Sequence, residues 1–227
     1  MARVVSEHGR LDVVWANAGI ASLGPIALTS PAAWTRTVEV NLLGAYYTVR
    51  AALPAVIAER GYVAVSASLA SFGQVPHMSA YCATKAGIEA MCNSLRTEVA
   101  QYGVDVATIH PSWTDTDMVR ESDASTEAFR ILRATLRPPL RRTYPVERVA
   151  RDIVAGFAGR RRRICTPRFV YAMHALRPLL TTWLIERDLR AVAPEMQRTF
   201  EQELATRGAE GASVSERIAA QLGRSSS

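Results

Sequence analysis

Short apolar runs alternate along this chain with longer stretches in which apolar residues return every three or four positions. Leu11 to Ala16 (Leu-Asp-Val-Val-Trp-Ala) reads as a buried strand that ends in the turn Asn17-Ala18-Gly19. A helix is predicted from Ser30-Pro31, with serine as cap and proline in the first turn, carrying Trp34, Val38, Leu42, Tyr46 and Val49 at helical spacing. Gly61 to Ser66 is the second strand, and a loop to His77 leads to a helix over about Ser79 to Tyr102. Val104 to His110 is a third strand, expected to stop at Pro111. A helix from Pro145, with Glu147 in its first turn, should end near Gly156 or Gly159, and Arg162 to Thr166 forms a fourth strand. Strands separated by helices pair in parallel through right-handed crossovers, so the predicted class is α/β with a doubly wound parallel sheet.

Beyond the fourth strand the pattern changes. Phe169 to Ile185 is apolar but short for a membrane span and is broken by His174, Arg177 and Pro178, so a buried or interfacial segment is expected. Glu195 to Arg207 is amphipathic, and Ser213 with Glu216 makes a capping box for a last short helix before a Ser-rich end. Residues 1–190 are therefore read as one domain and 191–227 as a helical tail with a disordered end.

Composition narrows the classes. A chain of 227 residues that is 48% hydrophobic can build one sizeable core. Its net charge of +6 allows an acidic partner such as a phosphorylated cofactor. The run Arg160 to Arg163 before Phe169 makes peripheral membrane contact an alternative. Nucleic acid is set aside because the aromatics do not interleave with the arginines as a stacking platform requires. Cys82, Cys92 and Cys165 have no metal or redox spacing, so no metal site is expected. With no apolar leader in the first residues, the expected location is the cytoplasm.

Among 27 basic residues there is one lysine, Lys85. A compact ammonium cannot be exchanged for a guanidinium where one point donor must fit a tight site. Tyr81 stands four residues earlier on the same predicted helix face. A phenol titrates near 10, too high for a base at neutral pH, and a nearby cation favours the phenolate. Tyr81 could then take a proton from an alcohol or return one to a carbonyl. Ser68, at the end of the second strand, could hold the substrate oxygen beside that phenol.

In order and spacing, Gly9 to Met118 resembles the short-chain dehydrogenase/reductase family. Ala-Asn17-Ala-Gly19 is similar to its Asn-Asn-Ala-Gly turn, and Val-Asn41-Leu-Leu-Gly to the helix bearing its active-site asparagine. Val-Ser66-Ala-Ser68 resembles the strand ending in the catalytic serine, and Tyr81-Cys-Ala-Thr-Lys85-Ala-Gly the catalytic helix. His110-Pro111-Ser112-Trp113-Thr114-Asp115-Thr116 resembles the segment whose threonine meets the cofactor. The resemblance implies a Rossmann-like domain that exchanges hydride between NAD or NADP and an alcohol or carbonyl. It implies Tyr81 as general acid/base, Lys85 on the nicotinamide ribose while lowering the tyrosine pKa, Ser68 on substrate, and Asn41 on a relay water. Asn17, Gly19, Tyr81, Lys85, Pro111, Thr114 and Thr116 are the implied cofactor contacts, and a homo-oligomer is expected.

Three departures stand out. The family's first strand and Gly-rich phosphate-binding turn have no counterpart, so the domain is read as incomplete at its N-terminus, through a misplaced start or a gene fragment. Leu11 to Ala16 would then be an unpaired apolar edge, and the alternative function is a cofactor-free pseudoenzyme or interaction protein. Ala16 replaces an asparagine, and Ser112 a glycine beside bulky Trp113, which puts the backbone path there in question. Val119 to Arg142 should close over an apolar small-molecule substrate, with Phe129, Leu132 and Leu136 lining the pocket and Phe72, His77 and Trp113 adding to it.

Overall fold

A computed structural model describes residues 1–73 and 75–213. Four strands form one parallel sheet in the order β1 (Val13–Ala16), β2 (Tyr62–Ser66), β3 (Asp105–Pro111) and β4 (Arg163–Thr166). The α/β class holds, and each strand lies where the apolar runs predict. Pro111 belongs to β3 instead of ending the strand before it, and it pairs with Thr166 at the sheet's margin. Proline is tolerated there because the ladder with β2 already ends at Ile109, so no pairing is lost with its missing amide hydrogen.

A short α1 (Ala2–His8) precedes β1. The helix predicted from Ser30-Pro31 is α2 (Pro31–Val38), a π-helical stretch Glu39–Leu43, and α3 (Gly44–Ala58). Ser30 Oγ caps α2 by accepting from the Ala33 amide. With α4 (Ser79–Val99), α3 covers one face of the sheet and buries Val14, Ala16, Val63, Val65 and Val106. On the other face α7 (Val146–Ala158) packs Val149 and Ile153 against Tyr62, Ala64, Ala107 and Ile109. Alternate strand residues thus enter different cores, as the two-residue strand period requires.

At the carboxyl ends of the strands, α5 (Asp117–Ser125) and α6 (Glu127–Thr135) form a cap. The segment Phe169 to Ile185 is not continuous. It divides into α8 (Phe169–Ala175), α9 (Arg177–Leu180) and the start of α10 (Trp183–Ser213), and Leu176 and Leu179 are exposed. The expected domain boundary near residue 190 falls inside α10. That helix lays Met196 and Phe200 into the molecule, fully buried, and Met196 joins Leu23, Met78, Phe129 and Leu132 in one apolar cluster. Glu203 accepts from the Glu127 amide, and Arg207 donates to the Ser125 carbonyl, so α10 is fastened to the cap. The helix breaks at Gly208, with φ 70° and ψ 170°, and a second helical stretch beyond this kink reaches Ser213. There the Ser213 carbonyl accepts from the Leu23 amide and its hydroxyl from the Ser30 amide. The Ser213–Glu216 capping box and the Ser-rich end lie outside the described residues.

The four-arginine run is partly committed inside the molecule. Arg160 bonds Asp105 and the carbonyls of Arg60 and Gly61, and Arg163 lies 3.6 Å from buried Glu89.

Candidate active site

A cavity of about 590 Å³ opens at the carboxyl ends of β1, β2 and β3. Ser68, Tyr81 and Lys85 line it together with Asn17, Gly19, Pro111, Thr114 and Thr116. Every cofactor contact implied by the sequence therefore borders one space. Asn41 does not line it.

Tyr81 and Lys85 come from the first two turns of α4, one turn apart, so both rise toward the cavity. The Lys85 ammonium sits 5.5 Å from the Tyr81 ring centre and donates to the Ser66 carbonyl at 2.7 Å. Burial pushes its pKa down to about 8, because a desolvated ammonium is disfavoured. The Tyr81 phenol is pushed up, chiefly by burial, while its hydrogen bond with the Ser68 side chain works in the opposite direction. The contact that opposes burial at the phenol is Ser68, and the Lys85 ammonium is anchored on a backbone carbonyl.

Ser68 caps the short 3₁₀ turn Leu69–Ser71, and its hydroxyl accepts from the Ala70 amide at 3.1 Å. A hydroxyl that accepts from the backbone still has its proton to donate. Ser66, two residues earlier, is structural: its hydroxyl donates to Asn17 Oδ1 at 2.8 Å and accepts from the Trp15 indole at 2.9 Å. Asn17 thereby ties the end of β1 to β2.

The Asn41 side chain is held by the protein. Its side chain is fully buried and its amide is spent on protein: Oδ1 accepts from the Ile20 amide, and Nδ2 donates to the Ile20 carbonyl and to Thr84 Oγ1. Asn41 lies in the π-helical turn, the kind of helix irregularity that often marks a functional position. Its work in this structure is to hold the Gly19–Ile20 backbone against α4. A Cβ on Gly19 would come 3.4 Å from both Asn41 Oδ1 and Lys85 Nζ, so glycine keeps that approach narrow.

The backbone around Ser112 and Trp113 has a definite path despite the bulky residue. Ser112 donates to the Thr166 carbonyl, Tyr144 to the Trp113 carbonyl, and Asp115 to the Tyr144 carbonyl. This ladder carries Thr114 and Thr116 to the cavity margin. Trp113 stands edge-on to Phe129, with ring centres 5.4 Å apart, and the Arg133 guanidinium lies over the indole at 5.4 Å.

Trp113, Phe129, Leu132 and Leu136 line the apolar part of the cavity as expected, with Met78, Val119 and Leu189. Phe72 and His77 do not. Phe72 is buried beneath the Ser68 turn against His110 and His174, and His77 faces Phe200 with its pKa pushed down to about 4 by burial. Leu189 was missed by sequence reasoning, which ended the domain at residue 190 and gave Leu189 no role; the available signal was the helical spacing of Leu189, Val192, Met196 and Phe200. Among the described residues, no group of three or more His, Cys, Asp or Glu side chains could hold a metal ion.

The family described as short chain dehydrogenase matches residues 1–127. The chain belongs to this family. Among its curated relatives, an uncharacterised NAD-dependent oxidoreductase of Mycobacterium tuberculosis is 35% identical over 127 residues, covering 55% of this chain and 46% of the relative. The (-)-trans-carveol dehydrogenase of Rhodococcus erythropolis is 34% identical over 150 residues, covering 63% of this chain and 52% of that one. The chain spans about half the length of these relatives. Among solved structures, a short chain dehydrogenase/reductase from Burkholderia phymatum in complex with NAD shares the fold, with a TM-score of 0.65 at 20% identity, over 80% of this chain and 71% of that one.

Proposed function

We propose that this short-chain dehydrogenase acts as an oxidoreductase, exchanging hydride between NAD or NADP and an apolar alcohol or its carbonyl, with Tyr81 as the proton-transfer group. One observation carries the reading: Ser68, Tyr81 and Lys85 border a single cavity whose remaining wall joins the implied cofactor contacts to an apolar pocket. The nicotinamide end of such a cofactor fits this donor set. Lys85 offers a buried ammonium, Gly19 a close backbone approach, and Thr114 and Thr116 lie at the margin. Bound there, the nicotinamide supplies or accepts the hydride. The names of the mycobacterial relative and of the Burkholderia complex support NAD.

The chain's own residues would then act as follows. Ser68 donates to the substrate oxygen and holds it beside Tyr81. In reduction the Tyr81 hydroxyl would give its proton to the developing alkoxide and become the phenolate; in oxidation the phenolate would take the proton of the alcohol. Lys85, anchored on Ser66, would have further protons to offer a ribose, and the positive charge of an oxidised nicotinamide would oppose the burial that raises Tyr81. Met78, Trp113, Phe129 and Leu132 exclude water from the reacting oxygen.

Two further assignments belong to the same reading. The free cysteines fit a cytoplasmic enzyme. The neighbouring exposed Leu43, Tyr46 and Tyr47 support pairing of the α3 face with a second copy. A second functional reading, a cofactor-free interaction protein, is favoured by the exposed Val13 and Trp15 on edge strand β1. Titration with NADH and NADPH, followed by cofactor fluorescence, separates the two. Saturable binding lost in Lys85→Met supports the oxidoreductase; binding that Lys85→Met leaves unchanged rejects it.

A further inference from the structure

The turn that presents Ser68 is held from beneath by groups that reach back to the catalytic helix. The Ser68 carbonyl accepts from the Ser71 hydroxyl at 2.6 Å and lies 3.1 Å from His110 Nδ1. His110 Nε2 lies 2.9 Å from Thr108 Oγ1. If that threonine donates to Nε2, Nδ1 carries the proton and points it at Ser68. Burial keeps this imidazole neutral, with its pKa pushed down to about 3. Phe72, the residue that closes the turn, lies against the His110 ring at 4.7 Å.

The turn's other end is fixed by charge. Arg177 donates to the Ser71 carbonyl at 3.0 Å through one nitrogen and to Glu89 Oε2 at 2.8 Å through the other. Glu89 is buried on α4, and with Tyr81 and Lys85 it recurs every fourth residue along that helix. One guanidinium therefore bridges the helix that carries the phenol to the turn that carries the serine. A planar fork with several fixed donors suits that task in a way an ammonium would not.

We propose that the Glu89–Arg177 pair is a positioning device for the Ser68 hydroxyl, setting its distance from Tyr81 across the gap between α4 and the Leu69–Ser71 turn. Neither residue borders the cavity that Ser68 and Tyr81 share, so both act through Ser68. The inference rests on the functional reading above for its catalytic meaning, while the coupling to Tyr81 can be measured without cofactor.

The test uses the 227-residue chain labelled at the tyrosine Cζ carbon, with the Tyr81 resonance assigned by Tyr81→Phe. Ser68→Ala defines the displacement of that resonance when the serine contact is lost. Arg177→Met should reproduce its direction and at least half its size, and Arg177→Lys should restore less than half of the difference. Removing the partner of a buried carboxylate can unfold a protein, so Glu89→Gln/Arg177→Met, which removes both charges together, is made alongside. In any form that turns over, the double variant should lose about tenfold in kcat with the substrate KM held within about twofold, as displacement of a positioned group predicts. A Tyr81 resonance that moves in Ser68→Ala but not in the folded double variant overturns the positioning role. One that does not move even in Ser68→Ala overturns the Ser68–Tyr81 pairing, and the functional reading with it.

Discussion

On the face covered by α3 and α4, Val14, Val63, Val65 and Val106 are at most 5% exposed, whereas on the opposite face Val13 and Trp15 are 43% and 39% exposed. The same four-residue strand thus has one sealed side and one open side. Part of the open side is covered by α7, where Phe157 touches the Trp15 ring at 5.6 Å, but Val154 on that helix is itself 63% exposed. Tyr81 and Lys85 project from a helix locked into the sealed core, which fixes the geometry that the proposed proton transfer would need. The opposite face is open only along β1, since Tyr62, Ala64, Ala107 and Ile109 are buried there under α7.

The contrast can be broken most strongly at Tyr81. Tyr81→Phe should lower turnover of any active form by about a thousandfold, since general acid/base groups contribute on that scale. Its circular dichroism should match the parent, and retained turnover would remove Tyr81 from the mechanism. Next comes Lys85, which pays for its position with desolvation. A pKa lowered from 10.5 to about 8 means the charged form is disfavoured in the fold. Lys85→Met should therefore gain about 2 kcal/mol of stability at pH 7 in urea unfolding, after allowing for the lost bond to Ser66, while abolishing activity. A loss of stability would show that the ammonium stabilises the fold.

Val65→Ala, in the sealed core, should cost about 2 kcal/mol. Acid should weaken the molecule next. His110 and His77 have folded pKa values of about 3 and about 4, below the ordinary 6.5. The unfolded chain therefore binds protons first as pH falls, and stability should decline from about pH 6.5 toward these values. His110→Asn should flatten that decline in unfolding curves recorded across the range. The smallest effect is expected on the open face, where Val13→Thr should change stability by less than about 0.5 kcal/mol. A cost equal to that of Val65→Ala would mean that the open face is covered in solution.

The sheet was legible because its strands are nearly unbroken apolar runs bounded by Gly and Pro, and the site because Asn17, Ser68, Tyr81 and Lys85 keep fixed spacings on those elements. What the chain order concealed was long-range. Asn41 sits in a helix on either reading, but only the approach of the Ile20 backbone shows where its amide is spent. Phe72 precedes α4, and its spacing does not set its direction; it turns inward, where His110 and His174 offer ring faces beneath the Ser68 turn. The direction of the Tyr81 shift depends on how deeply the phenol is buried, which spacing does not encode.

The fastening of Ser213 to Leu23 and Ser30 has a consequence for how the molecule is made. Partners 183 residues apart in sequence meet there, and loop closure over such a separation comes late. On the ribosome, the sheet and α4 can assemble while the apolar side chains of Leu23, Met78, Phe129 and Leu132 still lack Met196. Until α10 emerges, that apolar surface stays uncovered, the condition in which a nascent chain is most prone to aggregate.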